Sequence, residues 1–314
     1  MRSRRLDAFA RPDLRWLLAL LVLTRLPDLF SHFHDWDEAA MMSEAWAMTK
    51  GQMLYRDIAQ IHPVLNFAVF TPFFAWLTPQ AAPHAIKAMN ALLVLGGAWT
   101  ARGLVRGWTR DRDCGLAAAL LFVALLGRDW ALSSYGEFYT IFPILLSAAL
   151  LERERPAWFS VGLLWGGAFF LKQVAVFDAA ALAGGYLFLR QAPSRASGMA
   201  AAALGIGTVF ALVAAYFAWH GALGDATDSM FLRALDYRAV PNLPILKRAA
   251  LFAQMILLPA LRDFSPCWLA AAAALAAGRF AAPDVLTGRV GRTLLLWLGL
   301  DLIGVWFVGK MHLH

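Results

Sequence analysis

The sequence predicts an all-α membrane protein, a polytopic bundle of about nine transmembrane helices in a single integral membrane domain over residues 1–314. Three observations predict this fold class. Hydrophobic residues make up 60% of the chain and the mean hydropathy is +0.58, whereas soluble domains are only about 45–50% apolar. Several apolar runs approach the roughly 20 residues that a helix needs to cross a bilayer. Lys and Arg gather in short loops between these runs, so the net charge of +7 fits the positive-inside rule and does not indicate nucleic acid.

The charge distribution also orients the predicted spans. Residues 1–13 form a basic tail that should keep the N-terminus in the cytoplasm, and the absence of a small-residue cleavage site predicts a retained signal anchor. The predicted spans are residues 14–30, 85–101, 115–132, 138–151, 158–171, 174–189, 199–219, 266–277 and 294–308. The short apolar runs 64–77 and 249–261 are placed in the outer interface or, for the first, as a re-entrant segment, because this keeps the neighbouring arginine clusters cytoplasmic.

Two segments between the spans are predicted to lie outside the membrane. Residues 31–83 form a long extracytoplasmic loop with amphipathic juxtamembrane helices, one of them over residues 37–50 with Gly51 as its stop signal. Residues 220–248 form the second outer loop. Cys114 and Cys267 fall on opposite sides of the membrane, so we expect no disulfide and see no metal-ligand spacing. Because the chain stops directly after its last predicted span, we expect it to be a truncated form of a longer protein.

The first outer loop begins with a dense group of acids, Asp35, Asp37 and Glu38, directly after the first apolar run. A carboxylate at the membrane surface can act as the general base that takes a proton from an acceptor hydroxyl, and we assign this role to Asp37, aided by Glu38 or Asp35. Asp37 could instead be the N-cap of the helix that follows, although capping explains one acid and not three. Asp35 and Asp37 also have the spacing of a carboxylate pair for Mg²⁺ or Mn²⁺, while the predicted chemistry requires no cofactor.

Other polar residues are predicted on the same outer face. Glu137 could orient an acceptor or share the role of base, or it could be a helix N-terminal charge that the dipole favours. Lys172 interrupts an apolar hairpin, where it could hold a lipid phosphate or extend to the interface as an anchoring lysine. His62 could bind phosphate or cap a turn. Arg56 and Asp57 are interpreted as a structural ion pair.

These residues resemble a known family. The first loop, from Asp37-Glu38 through Leu54-Tyr55-Arg56-Asp57 to His62-Pro63, is similar to that of bacterial membrane glycosyltransferases with the GT-C fold. These enzymes are relatives of protein O-mannosyltransferases and lipid A aminoarabinose transferases. The segments Tyr135-Gly136-Glu137 and Phe169-Phe170-Leu171-Lys172-Gln173 also resemble the family, and the resemblance covers roughly residues 14–190.

The resemblance implies a hexosyl- or pentosyltransferase that moves a sugar from a polyprenyl-phosphate donor to a hydroxyl of a cell-envelope glycan, lipid or protein. The reaction would take place on the extracytoplasmic face of the bacterial inner membrane. By position, Asp37 matches the catalytic base of the family, with Glu38 beside it, and Glu137 matches a second acidic position. A single in-line displacement would invert the anomeric centre.

The resemblance also implies cations that neutralise the departing lipid phosphate. Lys172 matches a basic position near that phosphate, and His62 stands where the family often has a lysine. Arg238 in the second outer loop and Lys310, where a basic-aromatic motif would begin, are the further candidates. Two other functions stay open: a transporter or flippase of lipid-linked intermediates, and a scaffold that keeps the fold without catalysing the reaction.

Overall fold

The computed structural model describes residues 12–31, 33–127, 132–189 and 195–233, and then residues 247, 250, 254, 288, 291–297, 299 and 300. Within these residues the regular elements are helical, which confirms the predicted all-α class. Arg238, Lys310 and Cys267 lie outside the described residues. The helices are α1 (Pro12–Arg25), α2 (Trp36–Thr49), α3 (Leu65–Ala68), α4 (Thr71–Trp76), α5 (Ala81–Thr109), α6 (Arg112–Leu126), α7 (Gly136–Leu151), α8 (Trp158–Leu171), α9 (Ala175–Leu189), α10 (Arg195–Trp219) and α11 (Leu223–Thr227), with a 3₁₀ turn at Asp28–Phe30 and a π-helical turn at Asp228–Arg233.

The chain divides into two compact units, where the sequence predicts one domain. The larger unit consists of Met1–Gln173 and Ala196–Ala226, and the smaller one of Val174–Arg195 and Thr227–His314. The predicted outer-loop acids and Lys172 all belong to the larger unit. In the smaller unit, the indole of Trp297 donates a hydrogen bond to the Asp178 carboxylate at 2.6 Å.

Helices α5 and α6 form an antiparallel hairpin whose turn the sequence encodes locally. Helix α5 ends at Arg110, which adopts a left-handed backbone conformation with φ of 57°. Asp111 then caps α6, because its carboxylate accepts hydrogen bonds from the backbone N–H groups of Asp113 and Cys114. This turn contains the arginines that the sequence places in the cytoplasm.

Helices α8 and α10 approach each other closely through glycines. A Cβ atom on Gly162 would lie 2.0 Å from the carbonyl oxygen of Ala202, and a Cβ on Gly205 would lie 2.3 Å from the carbonyl oxygen of Phe159. Only glycine leaves room for such backbone contact, which is the packing expected of small residues between helices in lipid. A larger residue at either position would force the two helices apart.

The helix ends that the sequence predicts on the outer side lie together at one end of the larger unit. The end of α1 contacts the end of α6, where Arg25 donates to the Leu126 carbonyl. The start of α5 contacts the residues after α1, since His84 lies 2.8 Å from the Leu29 carbonyl. The start of α7 likewise meets the end of α8, because a Cβ on Gly136 would lie 2.5 Å from the carbonyl oxygen of Leu171. The helices therefore alternate in direction, as the predicted order of spans requires.

Two described helices are long and apolar enough to cross a membrane, Ala81–Thr109 and Ala196–Trp219. Helices α7, α8 and α9 are also apolar but have 14 to 16 residues each, short of the roughly 20 that span hydrocarbon. Large apolar side chains on several helices face outward, among them Leu23, Leu92, Leu204 and Leu212. An outward apolar surface of this kind is typical of helices in contact with lipid.

The first outer loop folds onto the same end as a series of short elements. Helix α2 closely matches the predicted helix over residues 37–50, and Gly51 follows it with φ of 90°. The run 64–77 forms α3 and α4, each too short to cross a membrane, and Trp76 at the end of α4 is 85% exposed. The run is thus divided into two short helices, and Pro72 lies in the first turn of α4.

Candidate functional site

Asp35 is the N-cap of α2, the role that the sequence analysis considers for Asp37. One carboxylate oxygen accepts from the backbone N–H of Glu38 at 2.9 Å, and the other accepts from the Ser133 hydroxyl at 2.6 Å. Burial alone would raise the pKa of Asp35, but hydrogen bonds from Glu38, Ser133 and Tyr135 outweigh it and lower the pKa. Asp35 is therefore held as an anion that fixes the start of α2.

Glu38 lies in a buried ionic cluster and not in the exposed position predicted for a catalytic acid. Its carboxylate is fully buried and lies 2.6 Å from the Lys87 ammonium group on α5. The same carboxylate accepts from the backbone N–H of Ser134 at 2.9 Å and of His34 at 2.7 Å. Both oxygens of the Glu38 carboxylate are thus engaged in contacts within the protein, and we assign Glu38 a structural role.

The buried cluster continues to the end of α1. Lys87 also lies 3.3 Å from Asp28, which in turn lies 3.4 Å from Arg25 and 2.5 Å from His34. Two carboxylates and two permanent cations therefore neutralise each other inside the protein. Since an unpaired buried charge is very costly, the cluster ties α1, α2 and α5 to one another at this end.

Asp37 differs from its two acidic neighbours because its side chain is exposed in the first turn of α2. Among the residues that the structure describes, no side chain forms a hydrogen bond or an ion pair with its carboxylate. It lies close enough to Tyr135 for electrostatic interaction with the phenol. Of the three acids, Asp37 is the one available to react.

The segment from Ser133 to Glu137 connects the first loop to a second pair of charged groups. Ser133 and Tyr135 bind Asp35, and the Ser134 hydroxyl accepts from the Asn90 amide at 2.9 Å. At the end of this segment, Glu137 forms an ion pair with Lys172, with 2.5 Å between Oε1 and Nζ. The Glu137 side chain is 57% accessible and Lys172 is 23% accessible, so the pair faces the surface.

Lys172 owes its position to the end of α8. It is the C-cap residue, with extended backbone angles, and its N–H donates to the Ala168 carbonyl at 2.8 Å. Behind it, Asn66 is buried and its amide has no hydrogen-bond partner among the described residues. Asn66 packs against Gly136, where a Cβ atom would lie 2.5 Å from the amide oxygen. The start of α7 and the end of α8 are thus packed so closely that a side chain at Gly136 would clash with Asn66 and Leu171.

His62 lies close enough to Glu137 to interact electrostatically with its carboxylate. Its Nδ1 atom lies 2.7 Å from the amide oxygen of Gln60, and Gln60 in turn donates to Glu44 on α2. Burial raises the pKa of Glu44, and the hydrogen bond from Gln60 partly offsets this effect.

Arg56 and Asp57 form the predicted ion pair, with 3.1 Å between Nε and Oδ1. Asp57 also accepts from the Met53 N–H at 2.7 Å, which closes a tight turn, and Arg56 donates to the His220 carbonyl at 3.1 Å. The pair is therefore structural: it fastens the first loop to the end of α10.

The two carboxylates of the predicted metal pair, Asp35 and Asp37, have different surroundings. Both oxygens of Asp35 accept hydrogen bonds, which leaves Asp37 as its only uncommitted member. The same Asp-x-Asp pattern recurs at Asp111 and Asp113, where the first acid is again a helix N-cap. Within the described part of the chain, no group of three or more His, Cys, Asp or Glu side chains has a metal-binding arrangement.

Sequence reasoning missed Asp28, Lys87, Glu44 and Gln60. Lys87 is detectable in the sequence, because a lysine near the start of a long apolar helix such as α5 needs a partner for its charge. Glu44 and Gln60 carry no comparable signal, since both look like ordinary surface residues. Comparison of the chain with protein-family models, curated proteins and solved structures finds no match.

Proposed function

We propose that this chain is an inverting glycosyltransferase that moves a sugar from a polyprenyl-phosphate donor to an acceptor hydroxyl. The proposal rests on the different environments of the three acids in the first loop. Asp35 caps a helix and Glu38 is neutralised by Lys87, whereas the Asp37 carboxylate is exposed and unpaired within the described residues. Asp37 interacts electrostatically with Tyr135, two residues before Glu137. The free carboxylate and the Glu137–Lys172 pair would provide a base and a phosphate contact at one end of the protein.

In the proposed reaction, Asp37 removes the proton from the acceptor hydroxyl while the oxygen of that hydroxyl attacks the anomeric carbon. The bond from that carbon to the donor phosphate oxygen breaks, and polyprenyl phosphate leaves with the electron pair. Lys172 stabilises the negative charge on the departing phosphate. Glu137 holds the ammonium group of Lys172 by the 2.5 Å ion pair, so that the cation is in place before the donor arrives. No step in this sequence uses a metal.

We further propose that the chain lies in the bacterial inner membrane with about nine spans, a cytoplasmic N-terminus and the site on the extracytoplasmic face. Two features of the larger unit support this orientation. The predicted outer helix ends lie together with the acids, and the Arg-rich α5–α6 turn lies at the far end of those helices. Donor, acceptor and lipid would then meet where the first loop covers the helix ends.

The test is a transfer assay with purified protein, a pool of polyprenyl-phosphate sugars and cell-envelope acceptors. Asp37→Asn should lower turnover by about 10²- to 10⁴-fold, the usual contribution of a general base. Asp113→Asn is the matched control, because Asp113 is also an exposed acid in the first turn of a helix capped by an aspartate two residues earlier. Equal turnover of the two variants would remove Asp37 from the mechanism. Donor binding without turnover in the wild type would instead favour a scaffold.

A further inference from the structure

The side-chain amide of Gln60 has an orientation that its surroundings determine. Its oxygen accepts hydrogen bonds from the backbone N–H groups of Ile61 at 2.8 Å and His62 at 3.2 Å. Its nitrogen donates to the two carboxylate oxygens of Glu44, at 3.2 Å and 3.1 Å. The reversed amide would direct its NH₂ group at two N–H donors and its oxygen at a carboxylate, so only the first orientation satisfies all partners.

This orientation determines where the proton of His62 lies. Nδ1 of the imidazole is 2.7 Å from the amide oxygen of Gln60, and that oxygen can only accept. Nδ1 must therefore carry hydrogen. In neutral His62 the second ring nitrogen, Nε2, is then the unprotonated one, and any further proton binds there.

We propose that Gln60, anchored by Glu44, is a positioning residue that holds His62 as the Nδ1–H tautomer, which makes Nε2 the atom that gains and loses a proton beside the Glu137–Lys172 pair. The three residues form a chain from α2 through the first loop to the proposed site. The backbone of His62 is held as well, since the Tyr55 hydroxyl donates to its carbonyl at 2.7 Å. Side chain and main chain of His62 are thus fixed independently.

The consequence for catalysis rests on the proposed function. A neutral His62 of this tautomer offers a lone pair at Nε2, which accepts from a hydroxyl but cannot donate to a phosphate. The imidazolium form donates and adds a second cation beside Lys172. Glu137 interacts electrostatically with His62, and Glu44 acts on the imidazole through Gln60.

The direct test is NMR of ¹⁵N-histidine-labelled protein, which reports the tautomer of each ring and does not depend on activity. Spectra are recorded about two pH units above the usual histidine pKa of roughly 6.5, and His62→Gln identifies the His62 signals among the seven histidines. Wild-type His62 should carry its proton on Nδ1. A wild-type His62 protonated on Nε2 would overturn the proposal, whatever the variants show.

Two variants separate positioning from general packing. Gln60→Leu removes the acceptor and should shift the tautomer ratio of His62 toward Nε2–H by about tenfold, as loss of one hydrogen bond allows. In the double variant Gln60→Glu with Glu44→Gln, the new carboxylate at position 60 still accepts from Nδ1 of His62, and the new amide at position 44 donates to that carboxylate. This variant should restore the Nδ1–H form. An unchanged ratio in Gln60→Leu would contradict the proposal. Absence of turnover would count against the glycosyltransferase assignment alone, since the tautomer is measured independently.

Discussion

The buried cluster around Lys87 allows a quantitative prediction. Replacing Lys87 with methionine keeps the volume of the side chain and removes the cation from between Glu38 at 2.6 Å and Asp28 at 3.3 Å. Among the described residues, Glu38 is then left without a cation, whereas Asp28 keeps Arg25 at 3.4 Å and His34 at 2.5 Å. Breaking a buried ion pair by removing one partner costs about 3–5 kcal/mol, so Lys87→Met should destabilise the protein by that amount.

The double variant Lys87→Met with Glu38→Gln tests the origin of this loss. Glutamine removes the orphaned charge while its oxygen still accepts from one of the two backbone N–H groups that Glu38 binds. The two changes should therefore be non-additive, with an interaction energy of about 1–3 kcal/mol. Equilibrium unfolding in mixed micelles measures all four free energies of the cycle. A Lys87→Met variant within about 0.5 kcal/mol of wild type, or strictly additive changes, would refute the reasoning.

Three further predictions concern the same end of the larger unit. Gly136→Ala should destabilise the protein by about 1–3 kcal/mol through overpacking, because the added Cβ would lie 2.5 Å from the Leu171 carbonyl oxygen. In the control variant Gly96→Ala, the added Cβ meets nothing within 4 Å, so this change should be neutral or stabilising in the same unfolding assay. Asp35→Asn keeps a capping side chain but removes the carboxylate whose pKa is lowered. The stability that this shift provides is present above the unfolded pKa of about 3.9 and is lost as pH falls through the folded value. The variant should therefore be less stable than the wild type at neutral pH and less sensitive to acid, and parallel pH profiles would contradict this. Arg56→Ala removes an exposed pair with Asp57, and the unfolding free energy should stay close to that of the wild type in the same assay. A clear loss of stability would assign the contact with the His220 carbonyl a main role in holding the loop.

Much of the helix layout follows from the sequence because apolar runs and arginine clusters are strong local signals. Residues 85–101, 115–132 and 158–171 all fall on or beside observed helices, and the helix ends predicted on one side do lie together. Helix α5 is longer than predicted at both ends, since Ala81–Thr109 includes polar residues that a hydropathy window excludes. The spans predicted at 266–277 and 294–308 fall wholly or largely outside the described residues.

The roles of the acids could not be separated from sequence alone. Asp35, Asp37 and Glu38 are close in the chain, and only the fold shows that Lys87, 49 residues after Glu38, neutralises one of them. The capping role considered as an alternative for Asp37 belongs to Asp35, because both residues satisfy the local preference and the sequence does not distinguish them. The surroundings of His62 and Lys172 depend on two contacts between residues far apart in the chain, Gln60 with Glu44 and Lys172 with Glu137, which no local pattern encodes.

The measurement that tests the central claim most directly compares Asp37→Asn with Glu38→Gln, each assayed for transfer per folded molecule and for unfolding free energy. The account predicts opposite behaviour of these adjacent acids. Asp37→Asn should retain its stability and lose about 10²- to 10⁴-fold in turnover, because its carboxylate is exposed in the first turn of α2. Glu38→Gln should lose stability and keep its turnover, because its carboxylate serves Lys87. A stable Glu38→Gln without activity beside a fully active Asp37→Asn would contradict the account.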